Sequence, residues 1–390
     1  MIARSLPVHS ARAVAEALRA RGIDEVRADL AAGGMTPAAI ELSGLDDSTL
    51  LTLVHHAGQL GLEVVTGADW AIVGGTRARL GSLARPWVVP PPLAELATQV
   101  GRLLAPDPPT RWATARGHVL LDRPVIVGIL NLTPDSFSDG GRFLSPDAAV
   151  AQADRLLADG AGVLDLGGES TRPGSEPVPE PEELGRVMPV LEALVHRHPD
   201  VPISIDTVKA TVARAALEAG AAIVNDVSAL RLDPAMAITV ARAGAGSILM
   251  HSRGTVSTMA GLDHAEYVPD LVTAVWQELA AAVELAMNAG IAAEHIVIDP
   301  GFGFAKTAEQ NLLLCDQLAI LHSLGRPLLV GPSRKRFLGS VTGREIGERD
   351  VATAAACVVA YERGARLFRV HNVAITRDAL AVAAAVRGER

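Results

Sequence analysis

The chain has 390 residues, 49% apolar and only 3% aromatic, and a formal net charge of −9. No basic footprint speaks for nucleic acid, and no apolar run approaches the roughly 18–20 residues of a membrane span. The length is comfortable for two domains, and a core drawn mainly from Ala, Val and Leu suits α/β architecture.

Ser10–Arg21 reads as an Ala/Leu/Arg-rich helix. Arg4 is followed by no long apolar segment or small-residue cleavage site, so no secretory signal is expected. Asp46, Asp47 and Ser48 are placed to cap a second helix that runs to about Leu60 and stops at Gly61. Short strands are expected at Glu25–Leu30, Ala39–Leu42, Glu63–Val65 and Trp70–Val73. Their alternation with helix predicts a small α/β or α+β domain over residues 1–115. The proline-rich stretch Pro86–Arg116 reads as a connector holding one helix, Leu93–Leu104. His9, His55 and His56 have no companions at metal-ligand spacing and read as ordinary surface or core histidines.

After residue 120 the punctuation becomes regular. Strands are expected at Val125–Leu130, Val163–Gly167, Pro202–Asp206, Ala222–Asp226, Ser247–His251, His295–Asp299, Pro327–Gly331 and Arg366–His371. Helices are expected at Pro146–Asp159, Glu182–His198, Val208–Ala219, Pro234–Ala243, Glu266–Ala289, Ala308–Leu324, Asp350–Arg363 and Ile375–Val386. Most of them stop just before a glycine, which suits a left-handed cap. Eight such units fit a (β/α)8 TIM barrel over residues 116–390. A doubly wound sheet could use the same units, but no GxGxxG turn marks one. Cys315 and Cys357 fall on apolar helix faces without CxxC spacing, which reads as two buried thiols in a cytoplasmic protein.

Each strand ends in polar residues: Asn131; Asp165 with Glu169; Asp206; Asn225 and Asp226; His251; Asp299; Ser333, Arg334 and Lys335; Arg369 and His371. A strand-terminal Asp is often only a helix cap, but eight polar ends in phase point to one shared mouth. Asp206, Asn225 and Asp299 could grip a planar heterocycle that carries donors and acceptors. Arg334, Lys335, Arg369 and His371 come from the last two strands, where barrels commonly bind phosphate, and Arg369 could also stack on a ring. Long rim loops follow the first two strands, Asn131–Gly141 and Glu169–Pro179, and loops of this length often close over a site.

Seven segments carry a family likeness: ILNLTPDSFSDGG (129–141), DLGGESTRPGSEPV (165–178), SIDT (204–207), NDVS (225–228), DPGFGFAKT (299–307), GPSRKRF (331–337) and RVHNV (369–373). In order and spacing they resemble dihydropteroate synthase. That resemblance implies a TIM barrel joining 4-aminobenzoate to 6-hydroxymethyl-7,8-dihydropterin diphosphate, with Mg²⁺ and as a homodimer. It implies that Asp206, Asn225, Asp299, Lys335, Phe304 and Arg369 bind the pterin. Thr171, Arg172, Pro173 and Ser333 would shape the aminobenzoate site, and Asn131, Thr171, Arg369 and His371 would hold diphosphate. Asn131 would ligate the metal, and Asp206, Lys335, Arg369 and His371 would carry the catalysis. Sulfonamides, as aminobenzoate mimics, should inhibit. The chain departs from the family at MHSRGTVSTM (250–259), at Arg336 in place of a common serine and at Asn372 in place of a common aspartate. A corrinoid-linked methyltransferase barrel and a non-catalytic pterin binder are the competing expectations.

Overall fold

The computed structural model describes residues 14–15, 18–19, 22–85, 89–104, 109–133, 145–170 and 176–389. Contacts divide the chain into two units, Met1–Asp107 and Pro108–Arg390.

In the first unit β1 (Pro37–Ser43), β2 (Glu63–Thr66) and β3 (Trp70–Thr76) form an antiparallel sheet with β3 central, an α+β arrangement. Helix Asp47–Gln59 is capped by Asp46, whose carboxylate accepts from Thr49 N at 2.7 Å. Leu53, Val73, Leu80, Leu83 and Leu93 form the core. The strand expected at Glu25–Leu30 is instead the start of a helix, Glu25–Met35, capped by Asp24. Its buried residues are Ala28 and Ala32, one turn apart, while Val26 and Leu30 face solvent. The larger apolar residues are thus on the outside, and small alanines make the packing face. Of the expected first helix, Val14, Ala15, Leu18 and Arg19 are described, and all four are helical.

The second unit opens with a hairpin of β4 (Arg111–Thr114) and β5 (Gly117–Leu120). Eight parallel strands follow: β6 (Val125–Asn131), β7 (Val163–Gly167), β8 (Ile203–Asp206), β9 (Ile223–Asp226), β10 (Gly246–Met250), β11 (Ile296–Asp299), β12 (Leu329–Val330) and β13 (Leu367–Val370). Sequential strands are neighbours, β13 pairs with β6, and a bridge between Ile298 and Leu328 closes the ring. This is a (β/α)8 TIM barrel. Its outer core lies between strands and helices, with Leu164, Leu191, Ile205, Val240, Ile298 and Phe368 all buried.

The strand period of two sorts the barrel interior into layers. Val163, Ile223, Val297 and Leu367 fill the lower, apolar layer. Two residues further along the same strands stand Asp165, Asn225, Asp299 and Arg369. Each strand therefore carries an apolar plug below and a polar group at its carboxyl end.

The hairpin lies partly within the stretch that reads as a connector, yet it closes the amino end of the barrel. Trp112 is fully buried against Val119, Leu121, Ile223, Ile248 and Val297, and its indole N–H donates to the His295 carbonyl at 2.9 Å. Gly246 has no side chain because a Cβ there would stand 3.1 Å from the indole. Trp112→Ala should lower unfolding free energy by about 3–5 kcal/mol, the usual cost of emptying a buried aromatic site. Urea denaturation checks it, and KM should not move because the polar rim is at the opposite end.

Candidate active site

Arg369, from β13, occupies the middle of the polar layer. Its Nε donates to Asp165 Oδ2 and its Nη2 to Asp206 Oδ2, both at 2.6 Å. Asn225 Nδ2 donates to the same Asp165 oxygen at 3.1 Å. Two carboxylates from β7 and β8 thus fix the plane of the guanidinium, and only a planar fork can satisfy both. Asp299 stands across the cavity, with Oδ1 accepting from Gly301 N at 2.7 Å. Asp206, Asn225, Asp299, Phe302, Phe304, Lys335 and Arg369 line one cavity at the carboxyl end.

Burial sets the electrostatics. It is the largest effect on Asp206 and pushes that carboxyl up to about 7, with Arg369 pulling against it. Burial also raises Asp299 to about 6. Arg369 is held more firmly charged than an ordinary arginine: desolvation opposes this, but Asp165 and Asp206 outweigh it. The cavity floor thus gathers more acids than permanent cations, which suits a ring edge rich in N–H donors.

Three consecutive residues after β12 point in different directions. Ser333 Oγ lies 2.8 Å from His371 Nδ1, joining the last two strand ends. Arg334, with φ of 57°, turns away to a two-point pair with Asp350 at 2.7 and 2.9 Å, so it is not part of the phosphate-binding edge expected of it. Lys335 returns to the cavity, its ammonium 3.9 Å above the Phe304 ring. Arg336 Nη2 donates to the Ala260 carbonyl at 3.3 Å. The neighbouring pair Asn225 and Asp226 also divides. Asn225 faces the cavity, and Asp226 accepts from Ser228 N, Ser228 Oγ and Leu230 N. Those bonds hold Ala229 and Leu230 at positive φ, so Asp226 shapes a turn.

Asn131 ends β6 at the same level. A Cβ on Gly167 would meet Asn131 Oδ1 at 3.6 Å and Asp206 Oδ2 at 3.8 Å, so these two groups flank one opening. Among the described residues no group of three or more His, Cys, Asp or Glu gathers to hold a metal. Thr171, Arg172 and Pro173, and residues 134–144 of the first rim loop, lie outside the described residues. The base of the second loop is described. Glu169 Oε1 accepts from Val178 N at 2.6 Å, and Glu169 Oε2 pairs with Lys209, which also reaches Glu183. A second cleft, about 330 Å³, lies beside Val208, Leu232 and Val256. Lys209 there is already neutralised by Glu169 and Glu183, and among the described residues no acid–amide set faces the cleft.

Sequence reasoning places Asp165 on the rim but gives it no role at the site, and it passes over Lys306. The signal for Asp165 was present: it shares a face with Val163 in a strand buried throughout. Lys306 is 3% exposed, a rarity for lysine, and sits in a run that otherwise reads as a glycine-rich turn.

A barrel that sets acids and an amide around a pinned arginine, next to a serine–histidine–lysine edge, defines an enzyme for a flat polar heterocycle lying beside an anion. Known proteins narrow the class. Residues 127–371 match the family described as pterin binding enzyme. The dihydropteroate synthase of Synechocystis is 48% identical over 261 residues, 66% of this chain and 89% of that one. The Xanthomonas albilineans dihydropteroate synthase solved with 4-aminobenzoic acid superposes with a TM-score of 0.66 at 46% identity, covering 71% of this chain and 98% of that one. The same organism's synthase in complex with 7,8-dihydropteroate gives a TM-score of 0.63 at 44% identity, covering 71% and 98%. The chain belongs to the pterin binding enzyme family, among its dihydropteroate synthases.

Proposed function

We propose that this protein condenses 6-hydroxymethyl-7,8-dihydropterin diphosphate with 4-aminobenzoate, giving 7,8-dihydropteroate and diphosphate. The observation that carries the reading is the lattice of Arg369 with Asp165 and Asp206, set within one cavity with Asn225, Asp299 and Lys335. Asp206, Asn225 and Asp299 would accept from and donate to the amino-pyrimidine edge. Lys335, Phe304 and Arg369 would bound the ring faces. His371, Asn131, Thr171 and Arg369 would hold diphosphate, and Thr171, Arg172, Pro173 and Ser333 the aminobenzoate.

In this scheme the methylene–oxygen bond breaks first and diphosphate leaves with the electron pair. Arg369, a fixed cation, and His371 would favour charge building there. The methylene then carries positive character, which the ionised carboxylates of Asp206 and Asp299 would stabilise. The neutral amine attacks, the new C–N bond forms from its lone pair, and the surplus proton on nitrogen passes to diphosphate or solvent; no side-chain nucleophile takes part. Mixing the protein with both substrates should release diphosphate in step with dihydropteroate, whereas a methyl-transferring barrel would release none.

Asn131 fits Mg²⁺ as a single neutral oxygen donor, the usual protein share when substrate oxygens and water complete the shell. When bound, the ion would neutralise charge on the diphosphate oxygens. A homodimer through the outer helices Asp350–Glu362 and Val373–Val386 is part of the proposal, supported by Val351, Val382 and Val386, all well exposed. The free thiols of Cys315 and Cys357 suit a cytoplasmic setting.

The raised carboxyls give this site a pH signature. Ring donors need ionised acceptors, so the KM for the pterin should rise as pH falls through about 7 and more steeply below about 6. Stability of the ligand-free protein runs the other way. A carboxyl raised from 3.8 on folding contributes stability that is fully present below 3.8 and lost as pH rises through about 6 and about 7. Steady-state kinetics from pH 5.5 to 8.5, approximately the span these groups titrate over, read the first effect, and thermal melts without ligand read the second.

A further inference from the structure

The loop that follows β11 is wound around the buried amine of Lys306, which desolvation pulls down to about 7. Lys306 Nζ donates to the carbonyls of Gly301 and Phe304, each at 3.1 Å, and lies 2.9 Å from His251 Nδ1. When the lysine is protonated, Nδ1 accepts and the ring proton sits on Nε2. That nitrogen lies 3.1 Å from Glu278 Oε2, at ion-pair distance but poorly aligned for a hydrogen bond. Burial and the neighbouring Lys306 push His251 down to about 4, which keeps it an acceptor. Glu278 in turn pairs with Arg253.

The winding is tight. A Cβ on Gly301 would stand 2.0 Å from the His251 carbonyl oxygen, at φ of 68°, so only glycine fits. A Cβ on Gly303 would stand 2.7 Å from Lys335 Cδ. Ala305 N donates to the Met259 carbonyl, and Tyr267 OH donates to the Ala305 carbonyl. The product of this arrangement is the placement of Phe304. It packs with Val208, Val227, Met250 and Met259 above the strand ends, and its ring lies beneath the Lys335 ammonium. That is the outer wall of the cavity, above the Asp206, Asn225 and Asp299 floor.

We propose that Lys306, together with His251, is a positioning residue for the ring-binding wall of this cavity, holding Phe304 and Lys335 against the face of the pterin. The inference rests on the proposed condensation. It also gives His251 a role that the strand-end pattern alone does not supply.

Lys306→Met removes the amine and keeps an unbranched apolar stem. It should weaken pterin affinity by isothermal titration about tenfold or more, as loss of several buried hydrogen bonds does, with kcat at saturating pterin within about threefold of wild type. His251→Asn retains an acceptor and should stay near wild type, while His251→Leu should follow Lys306→Met. Circular dichroism confirms folding in each case. A folded Lys306→Met protein with unchanged pterin affinity overturns the inference, and so does a fall in kcat with the affinity for pterin unchanged. If wild-type protein forms no dihydropteroate, the proposed condensation itself has failed.

Discussion

Asp206→Ala should reduce kcat/KM by at least about 10³-fold while leaving a folded barrel, as expected when a site loses an acceptor that also orders its neighbours. Asp206 lines the cavity and fixes one arm of Arg369. Its loss leaves Arg369 with Asp165, so the buried cation retains a partner and the fold survives. Asp206→Asn separates shape from charge. Because ionising this buried group is costly in the ligand-free state, the amide should not lower the melting temperature, yet turnover should still collapse. Near-normal kcat in either variant rules out a cation-stabilising role for Asp206.

Arg369→Lys should be almost as severe. One ammonium cannot reproduce two separate N–H···O bonds at 2.6 Å to carboxylates from different strands. Both acids would remain, with poorer compensation, and stability should fall by about 3 kcal/mol or more, the range for breaking a buried pair. The two residues share one interaction, so Asp206→Asn combined with Arg369→Lys should lose far less than the product of the single losses. Multiplicative effects on kcat/KM would show that the two act separately.

Much of this was legible in the sequence, for physical reasons. Strands buried on both faces are short apolar runs, and turns need glycine or proline, so all eight barrel strands stand out within a residue or two. The polar residue two places after an apolar plug marks what faces inward. What sequence could not supply is direction within a turn. Ser333, Arg334 and Lys335 are adjacent, yet one binds His371, one Asp350 and one lies over Phe304. Lys306 was opaque because its partners are backbone carbonyls and a histidine 55 positions away. Glu25–Leu30 misled because its larger apolar residues face water. The hairpin around Trp112 was hidden by prolines that signal a connector, although its tryptophan is among the largest fully buried side chains.

The most direct measurement is a crystal structure of the protein with 6-hydroxymethyl-7,8-dihydropterin diphosphate bound. The account predicts the ring edge in hydrogen-bonding contact with Asp206, Asn225 and Asp299, and the diphosphate near Asn131 and His371. A pterin seated instead in the cleft beside Val208, Leu232 and Val256, with Arg369 still closed on both acids, would contradict it.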